Sequence, residues 1–296
     1  MSDETIRKAR AEMRSYLDST GASLTSIGRD LGISAGALSL FMNDKYTGDN
    51  GKVAAGIRAF MDRLRARRGL LRIPVIRTRP YQDTVDTLGM TEAEGVMSLI
   101  VGDNGSGKTV AVKDYAERHD AILIESDPGD TPLSILRQLS VHLGLASRGT
   151  IQTLRDAIIQ NAPQKLLIVD EAENLPINSL NFIRRIYDKS RLSVALVGGP
   201  DVRGMFRNMR RDNKYLWRRI KIHVALGPLT DDDVDRIIAA TGMRVTDSAR
   251  RKLKDISQMN IGVLMNLLEM CHKITRASGA QVTNDIIATA RRLLLV

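Results

Sequence analysis

Eight residues, Gly102-Asp-Asn-Gly-Ser-Gly-Lys-Thr109, carry the clearest chemistry in this 296-residue chain. They fit the pattern G-x-x-x-x-G-K-T. Glycines let a loop curl until successive backbone N–H groups face one centre. A lysine adds a long positive charge, and a threonine hydroxyl is a hard oxygen ligand for a divalent cation. That combination suits the phosphates of a nucleoside triphosphate. The spacing assigns Gly102, Asp103, Asn104, Gly105, Ser106, Gly107, Lys108, Thr109 and Val110 to nucleotide binding. Lys108 is expected to neutralise the β- and γ-phosphates, and Thr109 to hold Mg²⁺. Roughly sixty residues later comes LLIVDEAENL, an apolar run ending in two acids. Asp170 is placed to bind Mg²⁺ through water, and Glu171 to polarise an attacking water. The expected cofactors are ATP and Mg²⁺, and the expected reaction is hydrolysis of ATP to ADP and phosphate.

Such residues work only when secondary structure aims them. The loop needs a strand before it and a helix after it, so that the helix N-terminus adds its dipole to the phosphate site. Apolar Val96–Val101 supplies the strand, and Leu166–Val169 predicts a second one under the acids. AILIES at 121–126, SVALVGG at 193–199 and IKIHVAL at 220–226 predict three more, with helical patterns between them. Strands alternating with helices imply a parallel sheet covered on both faces. Residues 230–296 are helical in pattern throughout. Leu253, Ile256, Leu264, Leu267 and Leu268 are spaced for core packing, and TDDDVDRII starts the first helix.

The N-terminal part differs. Apolar spacing at Ile6, Ala9, Met13, Tyr16 and Leu17 predicts a helix. In LTSIGRDLGISAGALSLFMND, Leu24, Ile27 and Leu31 form one buried face, Gly32 a turn, and Ser34 the N-cap of a second helix with Leu38 and Phe41 inward. That is helix-turn-helix spacing, and it is similar to the lambda-repressor-like group. Ser34, Ala35, Gly36, Ser39, Asn43 and Lys45 are the expected DNA-binding residues of this segment. Few of them are long base-reading side chains, so phosphate-led, weakly sequence-specific binding is expected. A helical bundle that binds protein is the alternative. RLRARRGLLRIPVIRTRP, broken by Gly69, Pro74 and Pro80, reads as a linker.

The charge is uneven. Residues 1–80 carry 15 Lys/Arg against 8 Asp/Glu, residues 81–200 carry 11 against 16, and residues 201–296 carry 18 against 10. An acidic middle between two basic ends fits a nucleotide-driven part flanked by polyanion-binding parts. The densest run, RNMRRDNKYLWRRIK, holds seven Lys/Arg in fifteen residues. Arg207, Arg210, Arg211 and Lys214 have helix-like spacing suited to a DNA-facing surface, or to a solvated face. No apolar run approaches the ~20 residues of a bilayer span, and the charged N-terminus is unlike a secretory signal. The single cysteine, Cys271, permits no intrachain disulfide, so a cytoplasmic location is expected.

GDNGSGKT and LLIVDEAENL followed by a helical C-terminal part are the organisation of AAA+ ATPases. With the N-terminal helix-turn-helix pattern added, the chain resembles the MuB family of transposing phages, part of a wider group that includes the regulators TnsC and TniB. The resemblance covers nearly the whole chain. It implies three parts: an all-α helix-turn-helix domain at 1–66 with a linker at 67–88, an α/β parallel-sheet AAA+ domain at 89–228, and a helical lid at 229–296. It also implies ATP-dependent oligomers or filaments on double-stranded DNA and delivery of target DNA to a MuA-like transposase in the host cytoplasm. The order of AAA+ elements puts an arginine finger at Arg218 or Arg219, with Arg219 favoured. Two positions depart from the pattern: Gly198-Gly199 stand where a polar sensor is common, and Met265 where an arginine often falls. Both imply slow hydrolysis, with ATP acting mainly as an assembly switch. An ATP-sensing operator-binding regulator and a helicase-loading ATPase share the same motifs and stay open as alternatives.

Overall fold

The structure is a computed structural model describing residues 3–20, 22–68, 71, 73–200, 214–276 and 278–294. The chain divides into two compact units, 1–71 and 72–296.

The first unit is four helices: α1 (Asp3–Thr20), α2 (Leu24–Leu31), α3 (Ala35–Met42) and α4 (Asn50–Arg68). Ser23 caps α2 by accepting the Ser26 N–H, and Ser34 caps α3 by accepting the Ala37 N–H. Between them Gly32 is left-handed, with φ at 67°, and its N–H and that of Ile33 close the last turn of α2. A side chain at Gly28 would meet the Ile33 carbonyl at 2.7 Å, so this glycine sets how tightly the turn closes. Ile27, Leu38 and Phe41 are buried with Ala9, Met13, Val53, Ala54 and Ile57, whereas Leu24 and Leu31 are only partly covered. Arg10 lies 4.7 Å from the Phe41 ring centre and pairs with Asp44, and Arg14 donates to the Met42 carbonyl.

The second unit is built on five parallel strands: β1 (Met97–Val101), β2 (Ile122–Glu125), β3 (Leu166–Asp170), β4 (Ser193–Gly198) and β5 (Ile220–Ala225), in the order β2-β3-β4-β1-β5. β1, β3 and β4 are buried on both faces, which is why they read as continuous apolar runs. Leu88, Ile100, Val112, Tyr115, Leu166, Ile168, Ala195 and Val197 fill one face, under α5 (Arg79–Glu94) and α6 (Lys108–His119). Leu99, Val101, Leu167, Val169, Val194 and Leu196 fill the other. They lie under α7 (Pro132–His142), α8 (Ile151–Asn161) and α9 (Ile177–Lys189).

Residues 79–88, read from sequence as linker, are the first part of α5. Pro80 does not break a helix here but starts one. It sits in the first turn, where no intrahelical donor is needed, behind the Thr78 N-cap. Tyr81 and Leu88 are buried.

After the sheet come α10 (Lys214–Trp217), ahead of β5, then α11 (Asp231–Ala240), α12 (Asp247–Ser257), α13 (Ile261–Thr275) and α14 (Asn284–Leu294). Leu253, Leu264, Leu267, Leu268, Cys271 and Ile287 form their buried side. Burial pushes the Cys271 thiol up to about 11, so it stays a packed thiol. The Asp-rich start of α11 is a junction. Asp233 is buried and accepts the backbone N–H of Thr230 and of Arg79, and the Arg236 guanidinium. It thereby holds the first turn of α5 against the first turn of α11. No helix among the described residues is long and apolar enough to cross a membrane.

Candidate functional site

The phosphate loop turns between β1 and α6 as its sequence requires. Gly105 and Gly107 take positive φ, 77° and 89°, which side-chain-bearing residues adopt at a cost. Lys108 is buried, and its ammonium donates to the carbonyls of Gly102 at 2.7 Å and Asp103 at 2.9 Å. Its pKa is lowered by burial, opposed first by Asp170 and then by Glu173, Asp103 and Glu171. The lysine is thus folded along its own loop, with a cluster of carboxylates holding its charge.

Thr109 Oγ1 donates to Asp170 Oδ2 at 2.8 Å, across 61 residues of sequence. Asp170 is 1% exposed at the end of β3. Burial raises its pKa, and the Thr109 hydroxyl, the Glu171 N–H and Lys108 work against that rise. Glu171 follows in a left-handed conformation, φ 52°, that turns the chain sharply out of the strand. Its side chain accepts from Asn174 Nδ2 at 3.0 Å, and the same amide reaches the Ser126 carbonyl at 3.2 Å. Ser126 Oγ in turn donates to the carbonyls of Asp170 and Glu171. The acidic turn is therefore fastened to the end of β2 and Glu171 is held in one place. Asn104, Gly105, Gly107, Lys108, Thr109, Val110, Asp170, Glu171, Glu173, Asn174 and Gly198 line one cavity of about 460 Å³. The structure thus gathers the loop and both acids, which sequence had placed far apart.

Three parts of this site went unread in the sequence. A second cavity, about 430 Å³ and largely apolar, adjoins the loop at Gly105, Gly107 and Val110. Ile73–Ile76, Tyr81, Ile237, Ile261 and Met265 wall it. In the sequence residues 73–76 read as linker, and Met265 stands where an arginine often falls. The start of α13 rests on the loop: Asn260 Nδ2 donates to the Asn104 carbonyl at 2.7 Å, and the Gly262 N–H to the Gly105 carbonyl at 2.9 Å. Asn260 ahead of the apolar run IGVLMNLL is the N-cap signal of this helix, but no local pattern tells that the helix meets the loop. Glu173 is the third part, and nothing in the sequence beyond its charge marks it.

The arginines lie elsewhere. Arg219 pairs with Asp188 at 2.7 Å, and Asp188 also holds Arg184. Arg218 is exposed. Both precede β5, whose Ile220 is level with Met97 at the start of β1, while the phosphate loop leaves the far end of β1. Five residues of strand span about 16 Å. These arginines cannot reach the phosphate loop of the same chain. Arg207, Arg210 and Arg211 lie outside the described residues, and Lys214 opens α10. Trp217 packs against the sheet core, edge-on to His223.

On α3, Ser34, Gly36, Asn43 and Lys45 are exposed, and Ala35 and Ser39 partly so. The Ser34 hydroxyl is occupied as a cap, and Asn43 Nδ2 donates back to the Ser39 carbonyl at 3.0 Å. Two of the expected polar contacts therefore already serve the helix.

Residues 93–206 match the AAA domain family. The chain is 25% identical, over 85% of its length and 91% of the relative's, to the Mu-like prophage FluMu DNA transposition protein B of Haemophilus influenzae. It is 24% identical, over 98% of its length and 96% of the relative's, to the ATP-dependent target DNA activator B of Escherichia phage Mu. Among solved structures it is similar to the ORC2 protein of Aeropyrum pernix, with a TM-score of 0.56, 17% identity, and 74% of this chain and 68% of that one covered. It is also similar to the RuvB branch migration motor of Thermotoga maritima, with a TM-score of 0.51, 14% identity, and 72% and 68% covered. These two likenesses concern the fold. The chain is similar to these two transposition proteins along most of its length, and its middle matches an AAA domain.

Proposed function

We propose that this chain is an ATP-dependent activator of target DNA in transposition, an ATPase that binds DNA and hands it to a transposase of the MuA kind. The observation that carries the reading is the single cavity in which the phosphate loop, the Thr109–Asp170 pair and Glu171 meet. The names of the relatives support the DNA-directed part, since they are a transposition protein and a target DNA activator.

The chemistry follows from the side chains. Loop N–H groups receive the phosphates, and Lys108 turns from the Gly102 and Asp103 carbonyls to the β- and γ-phosphates. Adenine occupies the apolar cavity between residues 73–76 and Met265, where a flat ring replaces water. The donor set fits Mg²⁺: a hydroxyl and a buried carboxylate share one hydrogen bond, both are hard oxygen ligands, and phosphate oxygens complete a shell the protein does not supply alone. That ion, when bound, neutralises charge building on the phosphates. Glu171, fixed by Asn174, accepts a proton from the attacking water. Arg219, or Arg218 beside it, serves the site of a neighbouring subunit, because the sheet separates it from its own. ATP turnover thus depends on assembly, and the active form is an oligomer or filament on double-stranded DNA.

In this reading α2 and α3 are a helix-turn-helix, residues 1–66 a DNA-binding domain, and residues 229–296 a lid over the nucleotide. DNA contacts come from Ser34, Ala35, Gly36, Ser39, Asn43 and Lys45, and from Arg207, Arg210, Arg211 and Lys214. The protein acts in the bacterial cytoplasm. Glu171→Gln tests the switch role: it should stop turnover and leave ATP-dependent DNA binding intact, measured by filter binding with and without ATP. Loss of that binding would count against ATP acting as an assembly switch.

A further inference from the structure

Three carboxylates stand at the end of β3 and in the turn after it, and the hydrolysis described above employs Asp170 and Glu171 only. Glu173 lines the same cavity as Lys108, Thr109 and Glu171. Its Oε1 accepts the Gly199 N–H at 2.8 Å. Its Oε2 is covered and has no hydrogen-bond partner among the described residues. A covered carboxylate oxygen without a partner calls for an explanation, and beside this cavity a water can supply one. Among the carboxylates acting on Lys108, Glu173 ranks after Asp170 and ahead of Glu171.

Gly199 completes the picture. A Cβ there would lie 2.8 Å from Glu173 Oε1 and 3.3 Å from Asn104 Oδ1. The chain after β4 is bare because a carboxylate from the turn after β3 occupies the space where its side chain would begin. The polar group missing from Gly198-Gly199 in the sequence is thus present in space, on another strand's turn.

We propose that Glu173 is a further catalytic residue: its Oε2 accepts a hydrogen bond from the attacking water while Oε1 stays on the Gly199 N–H. This rests on the reading of the cavity as an ATP hydrolysis site. A carboxylate cannot touch a phosphate oxygen directly, since both are acceptors. A water between them donates to both sides. One hydrogen of the attacking water points to Glu171 and the other to Glu173. The water oxygen forms a bond to the γ-phosphorus, and the bond from that phosphorus to the bridging oxygen breaks with its electron pair passing to ADP. The proton facing Glu171 moves to that carboxylate and is then released to solvent. The proton facing Glu173 stays on the product phosphate. Two acceptors fix the water in line, where Glu171 alone would leave it free to turn.

The test compares steady-state ATP hydrolysis by the full-length chain on double-stranded DNA with its affinity for a fluorescent non-hydrolysable ATP analogue. Glu173→Gln keeps an oxygen for Gly199 and replaces the free acceptor by a donor. It should lower kcat by at least about tenfold and leave analogue affinity within about twofold of wild type. Gly199→Ala pushes the carboxylate off its seat from the other side and should lower kcat similarly. The double variant should be no worse than either single one, as expected of groups acting as a unit. Wild-type kcat in Glu173→Gln beside an active wild type overturns this proposal alone. A parallel loss of analogue binding also overturns it, because Glu173 would then only shape the site. A wild-type chain that binds the analogue yet never hydrolyses ATP overturns the hydrolytic reading of the cavity itself.

Discussion

Asn260 does two jobs with one side chain, and they can be separated. Its Oδ1 accepts the Val263 N–H at 3.1 Å and so caps α13, while its Nδ2 bridges to the Asn104 carbonyl of the phosphate loop. Asn260→Ala removes both. The cap is worth about 1 kcal/mol. The bridge is open to water, so its loss costs under about 1 kcal/mol. Together these lower stability by about 1–2 kcal/mol. In a unit of residues 72–296 that corresponds to a fall in Tm of about 2–8 °C. Asn260→Ser restores a cap but is too short to bridge. It loses only the bridge, so its Tm should fall by no more than about 2–4 °C and by less than that of Asn260→Ala, since Ser and Asn cap comparably. Both variants lose the contact that presets the loop, so both should bind ATP about three- to tenfold more weakly, the equivalent of about 1 kcal/mol. Differential scanning calorimetry and titration with a fluorescent ATP analogue read the two quantities on the same samples. If Asn260→Ser lowers Tm as far as Asn260→Ala, or if neither changes ATP affinity, the division into cap and bridge is wrong.

Other variants probe other links. Phe41 is fully buried in the first unit, so Phe41→Ala should cost about 3–5 kcal/mol there and weaken DNA binding while ATP-analogue binding, measured by fluorescence, persists. Burial raises the Asp233 pKa, but the backbone N–H groups of Thr230 and Arg79 and the Arg236 guanidinium outweigh it, leaving the carboxyl below its usual value. Its stabilisation is therefore complete above the unfolded value of about 3.9 and is lost as pH falls through the lower folded value. Urea unfolding of wild type against Asp233→Asn should show a stability gap that is constant near neutrality and narrows below about pH 4. A gap that widens in acid would reverse the sign. If Arg219 serves a neighbour's site, Arg219→Ala and Glu171→Gln should each be nearly inactive in ATP hydrolysis, and a mixture should recover part of the turnover. A mixture no more active than its components would mean the arginine does not act across subunits.

The phosphate loop, its flanking strand and helix, and the Asp170–Glu171 strand end were legible because each is a local pattern with a local reason. Gly105 and Gly107 must turn, Val96–Val101 must be buried, and Lys108 must follow. All five strands stand where apolar runs predicted them. The terminal helices were likewise visible in the spacing of Leu253, Leu264 and Leu267. What stayed hidden depends on distance in space. Glu173 matters through Gly199, 26 residues away, and Asn260 through Asn104, 156 residues away. Residues 73–78 looked like a linker because they continue an arginine-rich run broken by Gly69, Pro74 and Pro80, yet their apolar members wall a cavity that α13 closes from the other end of the sequence. Pro80 misled for a related reason: a residue that breaks helices internally is favourable in the first turn, and only the Thr78 cap tells the two apart. The block of arginines before β5 could be divided by sequence but not aimed. The register of Ile220 against Met97 is what sets Arg218 and Arg219 at the opposite end of β1 from the phosphate loop.

In the proposed function ATP at this site drives assembly on DNA largely regardless of sequence. Nuclease footprinting on random-sequence duplexes, with and without ATP and Mg²⁺, tests it most directly. Long, continuous protection that appears only with ATP is the predicted result, and it should survive Glu171→Gln and fail in Lys108→Ala. One short protected site, equal with and without ATP, would contradict the account and favour an operator-binding regulator.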